Sequence, residues 1–174
     1  MNVTIREATT ADAGLIADIS RQTFYDTFSA QNREEDMDKF MKEQFAKEAL
    51  MEEVGAIGNT FLMAYVEEEI VGYVRLREGP ISGDEASVAS LEIARLYAVS
   101  AMIGKGIGKA LMEAALNVAV QKNKCVVWLG VWEKNSRAIA FYQQWGFEKF
   151  DEHDFILGND VQRDWLMKKN LSLK

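Results

Sequence analysis

The order of strand and helix patterns in this 174-residue sequence predicts an α/β fold with a mixed, twisted sheet flanked by helices. Two stretches support the prediction most directly. Residues 91–111 pass from a strand pattern through a glycine-rich loop into a helical pattern. Residues 125–131 form an almost unbroken apolar run, which is typical of a strand that is covered on both faces and parallel to its neighbour. No repeat or linker interrupts the pattern, so we expect one domain over residues 1–174.

The first third of the chain predicts one short strand followed by helical segments. Residues 3–6 have a strand pattern, and Thr9 with Asp12 resembles the cap of the helix that follows. We expect this first helix to bury Leu15, Ile16, Ile19, Thr23 and Phe24. A second helical segment starts at the pattern Asn32-x-x-Glu35, and one more helical turn precedes residue 58.

The middle of the chain predicts an antiparallel hairpin, a mobile loop and then the strand, loop and helix of residues 91–111. Residues 60–66 and 70–77 are strands joined by an acidic turn. Residues 79–86 carry two glycines and the only proline, which indicates a mobile loop. The helix after the glycine loop has an apolar face made of Ile107, Leu111, Ala114, Ala115 and Val118.

The last part of the chain predicts a strand, a helix and a final hairpin. Asn135 is a good N-cap for this helix, and Gly146 fits its C-terminal end. The apolar stripe of the helix consists of Ala138, Ile139, Phe141, Tyr142 and Trp145. Residues 147–155 and 161–167 then form two strands around a turn.

The glycine loop is a candidate phosphate site. Gly104, Gly106 and Gly108 expose backbone N–H groups at the start of a helix, where unpaired donors and the positive end of the helix dipole favour anions. A P-loop is excluded because no Gly-Lys-Ser/Thr follows, and the glycine spacing disfavours a dinucleotide fold. The loop by itself leaves a tight turn without a ligand open.

The charge and composition limit the class of protein. A net charge of −7 repels nucleic acids and anionic membranes and favours cationic partners. No apolar run approaches the roughly 18 residues that span a bilayer, and the start lacks the layout of a signal peptide, so we expect a cytoplasmic protein. Cys125 opens an apolar run, which predicts a buried structural thiol. No metal site is indicated, because His153 has no spaced partner of ligand type.

Two motifs together resemble a known family. The loop of residues 99–108 and the pattern Asn-x-x-Ala-x-x-Phe-Tyr-x-x-x-Gly-Phe at residues 135–147 are similar to the two acetyl-coenzyme A motifs of the GNAT superfamily of N-acetyltransferases. Residues 23–32, residues 128–135 and the ending His153-x-Phe155, Gly158 and Gln162-x-Asp164 resemble spermidine/spermine N-acetyltransferases of the PaiA type. The resemblance implies a mostly antiparallel sheet with one splayed parallel strand pair.

The resemblance also implies a cosubstrate, acetyl-CoA, and the residues that hold it. Tyr97, Ala98 and Val99 correspond to the strand that binds pantetheine and polarises the thioester carbonyl. The pyrophosphate corresponds to the loop residues Gly104, Lys105, Gly106, Ile107, Gly108 and Lys109. Asn135 touches the cofactor by the same resemblance, and Tyr142 is the general acid that protonates the coenzyme A thiolate. Ile103 departs from the family, which usually has Arg or Gln there.

A polyamine is protonated at neutral pH, so the reaction needs a route for proton removal. Glu92 is the candidate general base, with Glu133 and a water relay as alternatives. We expect the cationic substrate to meet an acidic funnel, with Trp132 and Tyr97 offering aromatic faces and Glu133 at the mouth. The funnel consists of Tyr25, Asp26, Gln31, Asn32, Glu34, Glu35, Asp151, Glu152 and Asp154.

The sequence leaves other functions open. The same fold could acetylate another small amine or a peptide N-terminus, or the chain could be a weakly active acetyl-CoA-binding regulator, which the departure at Ile103 keeps open. Direct DNA binding is poorly supported, because no basic recognition helix is evident. The resemblance implies that a homodimer could form at the exposed edge of the final hairpin.

Overall fold

The computed structural model describes residues 1–81 and 89–171, and part of the predicted mobile loop at 79–86 therefore lies outside the described residues. The first half of the chain contains β1 (Thr4–Glu7), α1 (Ala13–Phe28), α2 (Glu34–Glu43), α3 (Lys47–Glu53), β2 (Asn59–Val66) and β3 (Glu69–Glu78). The second half contains β4 (Ser90–Ala98), α4 (Ile107–Gln121), β5 (Val126–Trp132), α5 (Ser136–Gln144), β6 (Glu148–Leu157) and β7 (Asp160–Asn170). No helix of the described residues is both long and apolar enough to cross a membrane.

One seven-stranded sheet has the order β1-β2-β3-β4-β5-β7-β6. All neighbouring strands are antiparallel except β4 and β5, which are parallel. The α/β class, the mixed sheet and the single parallel pair predicted from the sequence are therefore confirmed.

The parallel pair is short and then opens. Pairing runs from Ser90 with Val126 to Ile93 with Leu129, and both strands continue beyond that point without pairing to each other. The register of β3 against β4 shifts at the same place, since Arg75 faces Arg95 and Leu76 faces Ile93. The bulge at residue 94 bends β4 away from β5 and leaves a gap between them.

Helix α4 lies close against the sheet below this gap. A Cβ atom on Gly72 in β3 would lie 2.8 Å from both a methyl group of Ile107 and the carbonyl oxygen of Tyr97, so only glycine allows this approach. Ile107, Leu111 and Ala115 are buried in the main core between α4 and the sheet. The start of α4 is therefore held firmly beside the end of β4.

Helix α2 is attached to the final hairpin through Asp36. One carboxylate oxygen of Asp36 accepts the backbone N–H of Asn159 at 3.0 Å, and the other pairs with Arg33 at 2.9 Å. These two donors, first the Asn159 N–H, lower the pKa of Asp36. A Cβ on Gly158, which has φ +63°, would lie 2.5 Å from the Asp36 Cα atom. The close contact fixes two walls of the cleft described below relative to each other.

Three local predictions were wrong. Leu15 is 41% exposed because it lies about 100° around α1 from the buried Ile16. Helix α2 begins at Glu34, since the Asn32 side chain donates back to the carbonyl of Phe28 instead of capping α2. Cys125 is exposed: its backbone pairs with Ala89 and Leu171, but its side chain precedes the covered part of β5.

Candidate functional site

The gap between β4 and β5 opens into a cleft of about 660 Å³. The glycine loop and the start of α5 line one end, the diverging strands line the middle, and α1, α2 and the β6–β7 hairpin line the other end. We call these parts the loop end, the middle and the far end. They differ in charge and polarity, so each part suits a different portion of a ligand.

The loop end has backbone and side-chain groups that favour an anion. Gly104 and Gly106 have φ of +80° and +88°, and Gly106 precedes the first turn of α4, whose N–H groups have no carbonyl four residues earlier to bind. Lys109 also lines the cleft there. Donors, dipole and positive charge therefore converge, as phosphate binding requires.

Arg137 supplies a second cation that sequence reasoning missed. Its guanidinium lies over the loop, because a Cβ on Gly104 would be 3.7 Å from an Arg137 Nη atom. Ile103 lines the same end and is exposed, so the structure puts a cation from α5 beside the position where the family usually has Arg or Gln. The position of Arg137 within the pattern Asn-x-x-Ala was the signal that could have found it.

Not all of the loop residues that were predicted to bind the cofactor line the cleft. Gly104, Gly106, Gly108 and Lys109 line the cleft, whereas Lys105 is exposed outside it and the Ile107 side chain is buried in the core. Asn135 lines the cleft and caps α5 as predicted, with its Oδ1 atom accepting the N–H of Ala138 at 3.2 Å.

The middle of the cleft contains the last residues of β4. Tyr97 and Ala98 line it. Val99 does not: its N–H donates to the carbonyl of Val71 at 2.9 Å, and its own carbonyl accepts the N–H of Met102 at 2.9 Å. Because both of these groups have partners, the structure does not offer Val99 to a ligand as the sequence predicted. Within the described residues, no strand pairs with the β5-facing edge of β4 beyond Ile93, so this edge can pair with an extended ligand.

Tyr142 of α5 also lines the cleft and is 8% exposed. Its ring contacts Phe141 and Phe147, with centroids 5.5 and 5.9 Å away. Burial raises the pKa of the phenol to about 12, so the hydroxyl stays protonated at neutral pH. A buried, protonated hydroxyl can donate a hydrogen bond or a proton into the cleft.

The far end is mostly aromatic. Its apolar wall consists of Phe24, Phe28, Phe40, Phe45, Phe155 and Leu157. Phe28 connects this wall to the middle, because its ring lies 5.9 Å from Trp132 and 6.4 Å from Tyr97. Trp132 lines the cleft as the sequence predicted.

Two polar groups stand out at the far end, and neither was given a role from the sequence. Arg95 lines the cleft, and both of its Nη atoms bind Glu53 at 2.8 Å, a carboxylate that also pairs with Arg75 at 3.2 Å. Asp164 of β7 also lines the cleft, and burial raises the pKa of its carboxyl while the neighbouring His153 lowers it. The alternation Gln162-x-Asp164 in a strand was a usable signal, since both residues share one face.

The predicted acidic funnel is not part of the cleft. Tyr25, Glu34, Glu35 and Glu133 are exposed residues that do not line it. Glu152 binds Lys149 and Arg163 at the outer side of the hairpin. These side chains lie on exposed faces because the inward positions of α1, α2 and β6 are taken by the aromatic wall.

Glu92 is not in the cleft either. Its carboxylate binds Arg77 through Nε at 2.8 Å and Nη2 at 2.6 Å, beside a separate small hollow that includes Trp128. The physical reason is its position before the divergence of the strands, where β4 is still paired on both sides. The structure therefore does not bring the predicted base together with Tyr142.

Comparison with known proteins agrees with this architecture. Residues 21–147 match the model of the acetyltransferase (GNAT) family. The chain is 40% identical over 153 residues to a Lactobacillus delbrueckii subsp. lactis protein described as an uncharacterized N-acetyltransferase, with 88% of each chain covered. It is 27% identical over 163 residues to the spermidine N(1)-acetyltransferase of Thermoplasma acidophilum, which covers 90% of this chain and 96% of the relative.

A solved structure supports the fold directly. The PaiA N-acetyltransferase of Thermoplasma acidophilum, crystallised with coenzyme A, superposes with a TM-score of 0.80 over 98% of this chain and 100% of the other, at 24% identity. The family match spans most of the chain, and the glycine loop and open strand pair fit a phosphorylated, extended cosubstrate. The chain belongs to the GNAT acetyltransferase family and is an acetyl-CoA-dependent N-acetyltransferase.

Proposed function

We propose that the protein transfers the acetyl group of acetyl-CoA to a primary amine of a polyamine such as spermidine or spermine, by direct attack in a ternary complex. The observation that carries the proposal is the continuity of the cleft, which joins the phosphate-binding loop, Tyr142 and the aromatic far end. Relatives described as spermidine or spermine acetyltransferases support the choice of amine.

The cosubstrate is held by three sets of groups in this proposal. Loop N–H groups at Gly104, Gly106 and Gly108, with the cations Lys109 and Arg137, bind the phosphates. The unpaired edge of β4 around Tyr97 and Ala98 binds the pantetheine. When bound, the cosubstrate supplies a thioester whose carbonyl carbon is attacked by the amine nitrogen, after which the carbon–sulfur bond breaks.

Tyr142 is the proposed general acid. The ammonium group of the acceptor must first lose one proton to the solvent, because only the neutral nitrogen has the lone pair that attacks the carbonyl carbon. As the carbon–sulfur bond breaks, the Tyr142 hydroxyl gives its proton to the leaving sulfur. The nitrogen carries an extra proton after the attack and loses it through water, and this proton restores the Tyr142 phenolate to the phenol. Burial raises the pKa of the phenol to about 12. A thiolate that forms beside the same apolar side chains is also destabilised, so the pKa of the thiol rises too and the difference between the two pKa values becomes smaller. Hydrogen bonding from Tyr142 therefore assists the departure of sulfur.

The aromatic wall favours a second candidate substrate, an amine with an apolar body. Phe24, Phe40 and Phe45 offer apolar contact, and the acidic funnel that would select several ammonium groups is absent from the lining. Polyamines still fit, because their methylene segments are apolar and aromatic faces attract ammonium groups. A monoamine with a long alkyl or aryl group uses the same surfaces.

The release of coenzyme A thiol tests the two candidates. Acetyl-CoA is incubated with spermidine, spermine, alkyl and aryl monoamines or amino acids, and a reaction without amine measures hydrolysis. We expect the highest kcat/KM with the polyamines. A preference for apolar monoamines would replace the polyamine with the second candidate, and binding of acetyl-CoA without turnover on any amine would favour the regulator.

A further inference from the structure

We propose that Asp164 binds the ammonium group of the acceptor amine and places its nitrogen at the junction between the middle and the far end of the cleft. The inference deepens the proposed acetyl transfer and rests on it, but it does not depend on which amine is preferred. It assigns the head of the acceptor to one carboxylate and its body to the aromatic wall.

The position of Asp164 is the first argument. Asp164 pairs with Trp132 across β7 and β5, at the end of β5 where the parallel strand has already diverged. A Cβ atom on Gly130 would lie 3.6 Å from an Asp164 carboxylate oxygen. The carboxylate therefore lies beside Gly130 of β5, and both residues line the cleft.

Charge is the second argument. Among the cleft-lining residues that the structure describes, Asp164 is the sole carboxylate. Arg95 is bound to Glu53, which it shares with Arg75, and the other lining cations, Lys109 and Arg137, are at the loop end. The Asp164 side chain is 16% exposed, and its ion-pair contact is the Nε2 atom of His153 at 3.8 Å, too long for a hydrogen bond. A largely buried carboxylate with so weak a partner is costly for stability and is typical of a functional site.

The surroundings match an alkylammonium ion. Trp132 pairs with Asp164 across the two strands, the ring of Phe28 lies 5.9 Å from Trp132 and 6.4 Å from Tyr97, and all three aromatic residues line the cleft. Aromatic rings attract a cation and its first methylene groups. Beyond them the wall continues through Phe24 and Phe40, whose rings stack with centroids 4.6 Å apart. The acceptor class is therefore a primary amine on a flexible apolar chain, with the ammonium group at Asp164.

The test compares Asp164→Asn with the wild-type protein, and Asp154→Asn serves as the matched control. Asp154 is an exposed carboxylate on the same hairpin that binds Arg163. With the best amine of the panel, we expect Asp164→Asn to raise the KM for the amine about 30-fold, the loss of one charge-assisted contact, with acetyl-CoA affinity unchanged. Asp164→Glu keeps the charge and should recover part of this loss.

A second acceptor distinguishes the loss of ammonium binding from a general loss of activity caused by misfolding. Hydroxylamine is uncharged at neutral pH, so Asp164→Asn should acetylate it at the wild-type rate if Asp164 acts on the ammonium charge. Equal losses with hydroxylamine and with the alkylamine, or a change in KM below about threefold, would overturn the proposal. Wild-type turnover restricted to monoamines would overturn the polyamine substrate but leave this comparison intact, whereas no turnover on any amine would overturn both.

Discussion

Tyr142 is the residue on which the proposed chemistry depends most. Tyr142→Phe removes only the hydroxyl from a buried ring, so the packing against Phe147 is retained. We expect kcat to fall about 100-fold, the usual contribution of a general acid, with acetyl-CoA affinity unchanged. Thiol release and direct binding measure the two quantities. Tyr65→Phe, outside the cleft, is the matched control, and equal activity of both variants would remove Tyr142 from the mechanism.

Arg137 is expected to replace the cation that Ile103 does not provide. Arg137→Gln should weaken acetyl-CoA binding about tenfold, because one charge-assisted contact to phosphate is lost, and should leave the KM for the amine unchanged. Calorimetric titration with acetyl-CoA measures this. Lys134→Gln removes a nearby exposed charge that does not line the cleft and should bind normally. Equal affinities of all three proteins would contradict the role of Arg137.

The ionisation of Asp164 can be measured directly. Burial raises the pKa of Asp164, and the neighbouring His153 of β6 lowers it. Tyr97 of β4 also interacts with this carboxylate: burial raises the pKa of its phenol, and the Asp164 charge raises it further. Since only the ionised carboxylate binds ammonium, acceptor binding should be lost as pH falls through the pKa of Asp164, which burial raises from the usual value of an aspartate. Carbon NMR of labelled aspartate measures the midpoint, assigned by its absence in Asp164→Asn.

Substitution of His153 tests the direction in which this residue changes the pKa of Asp164. His153→Gln removes the imidazole that lowers the pKa of Asp164, so this pKa should rise further and acceptor binding should be lost at a higher pH. A pKa of Asp164 within the ordinary range, or a lower pKa in His153→Gln, would contradict the electrostatic description.

At the scale of secondary-structure elements, the far end depends on the connection between α2 and the β6–β7 hairpin. Gly158→Ala places a Cβ atom 2.5 Å from the Asp36 Cα atom and 2.6 Å from its carbonyl oxygen, at a φ of +63°. We expect the free energy of unfolding to fall by about 2 kcal/mol, which urea denaturation measures. The variant should also raise the KM for the amine more than the Kd for acetyl-CoA, since α2 and the hairpin line the far end.

Gly14→Ala is the control for this substitution. No atom lies within 4 Å of a Cβ added at Gly14, so alanine there should be neutral or stabilising. If Gly158→Ala were as stable as Gly14→Ala, the tight contact between α2 and the hairpin would not contribute to stability.

At the scale of the whole molecule, the cleft begins at the gap between β4 and β5 and is lined by elements from both halves of the chain. A ligand that occupies this gap contacts both halves and stabilises only the folded state. Acetyl-CoA at 100 times its Kd should therefore add about 2.7 kcal/mol and raise Tm by roughly 5–10 °C. Calorimetry measures the shift, adenosine without phosphates should give a much smaller one, and equal shifts would contradict the phosphate site.

Much of the fold could be predicted because its signals are local. The apolar run that became β5, the N-cap at Asn135 and the turn before Asp160 each depend on neighbouring residues. The predicted burial of Leu15 and Cys125 was wrong, because burial depends on which face of an element meets another element. Sequence spacing alone does not fix that face.

The candidate site could be predicted only in part, because only some of its residues belong to local motifs. Gly104, Gly106, Gly108, Asn135 and Tyr142 belong to contiguous motifs, and all of them line the cleft. Arg137 was missed because its role depends on the contact between α5 and the loop. Glu92 was chosen as a base from its place on β4, but its partner Arg77 comes from a strand paired through tertiary structure.

The sequence by itself determined the α/β class, the glycine loop before a helix and the family resemblance, because these depend on residues that are close along the chain. Only the tertiary structure decided the character of the far end. Glu34, Glu35 and Glu152 were outside the cleft, while Phe24, Phe40 and Asp164 from three separate elements were brought to it. The physical reason is that folding buries the apolar faces of α1, α2 and the hairpin against each other and leaves their charged faces in water.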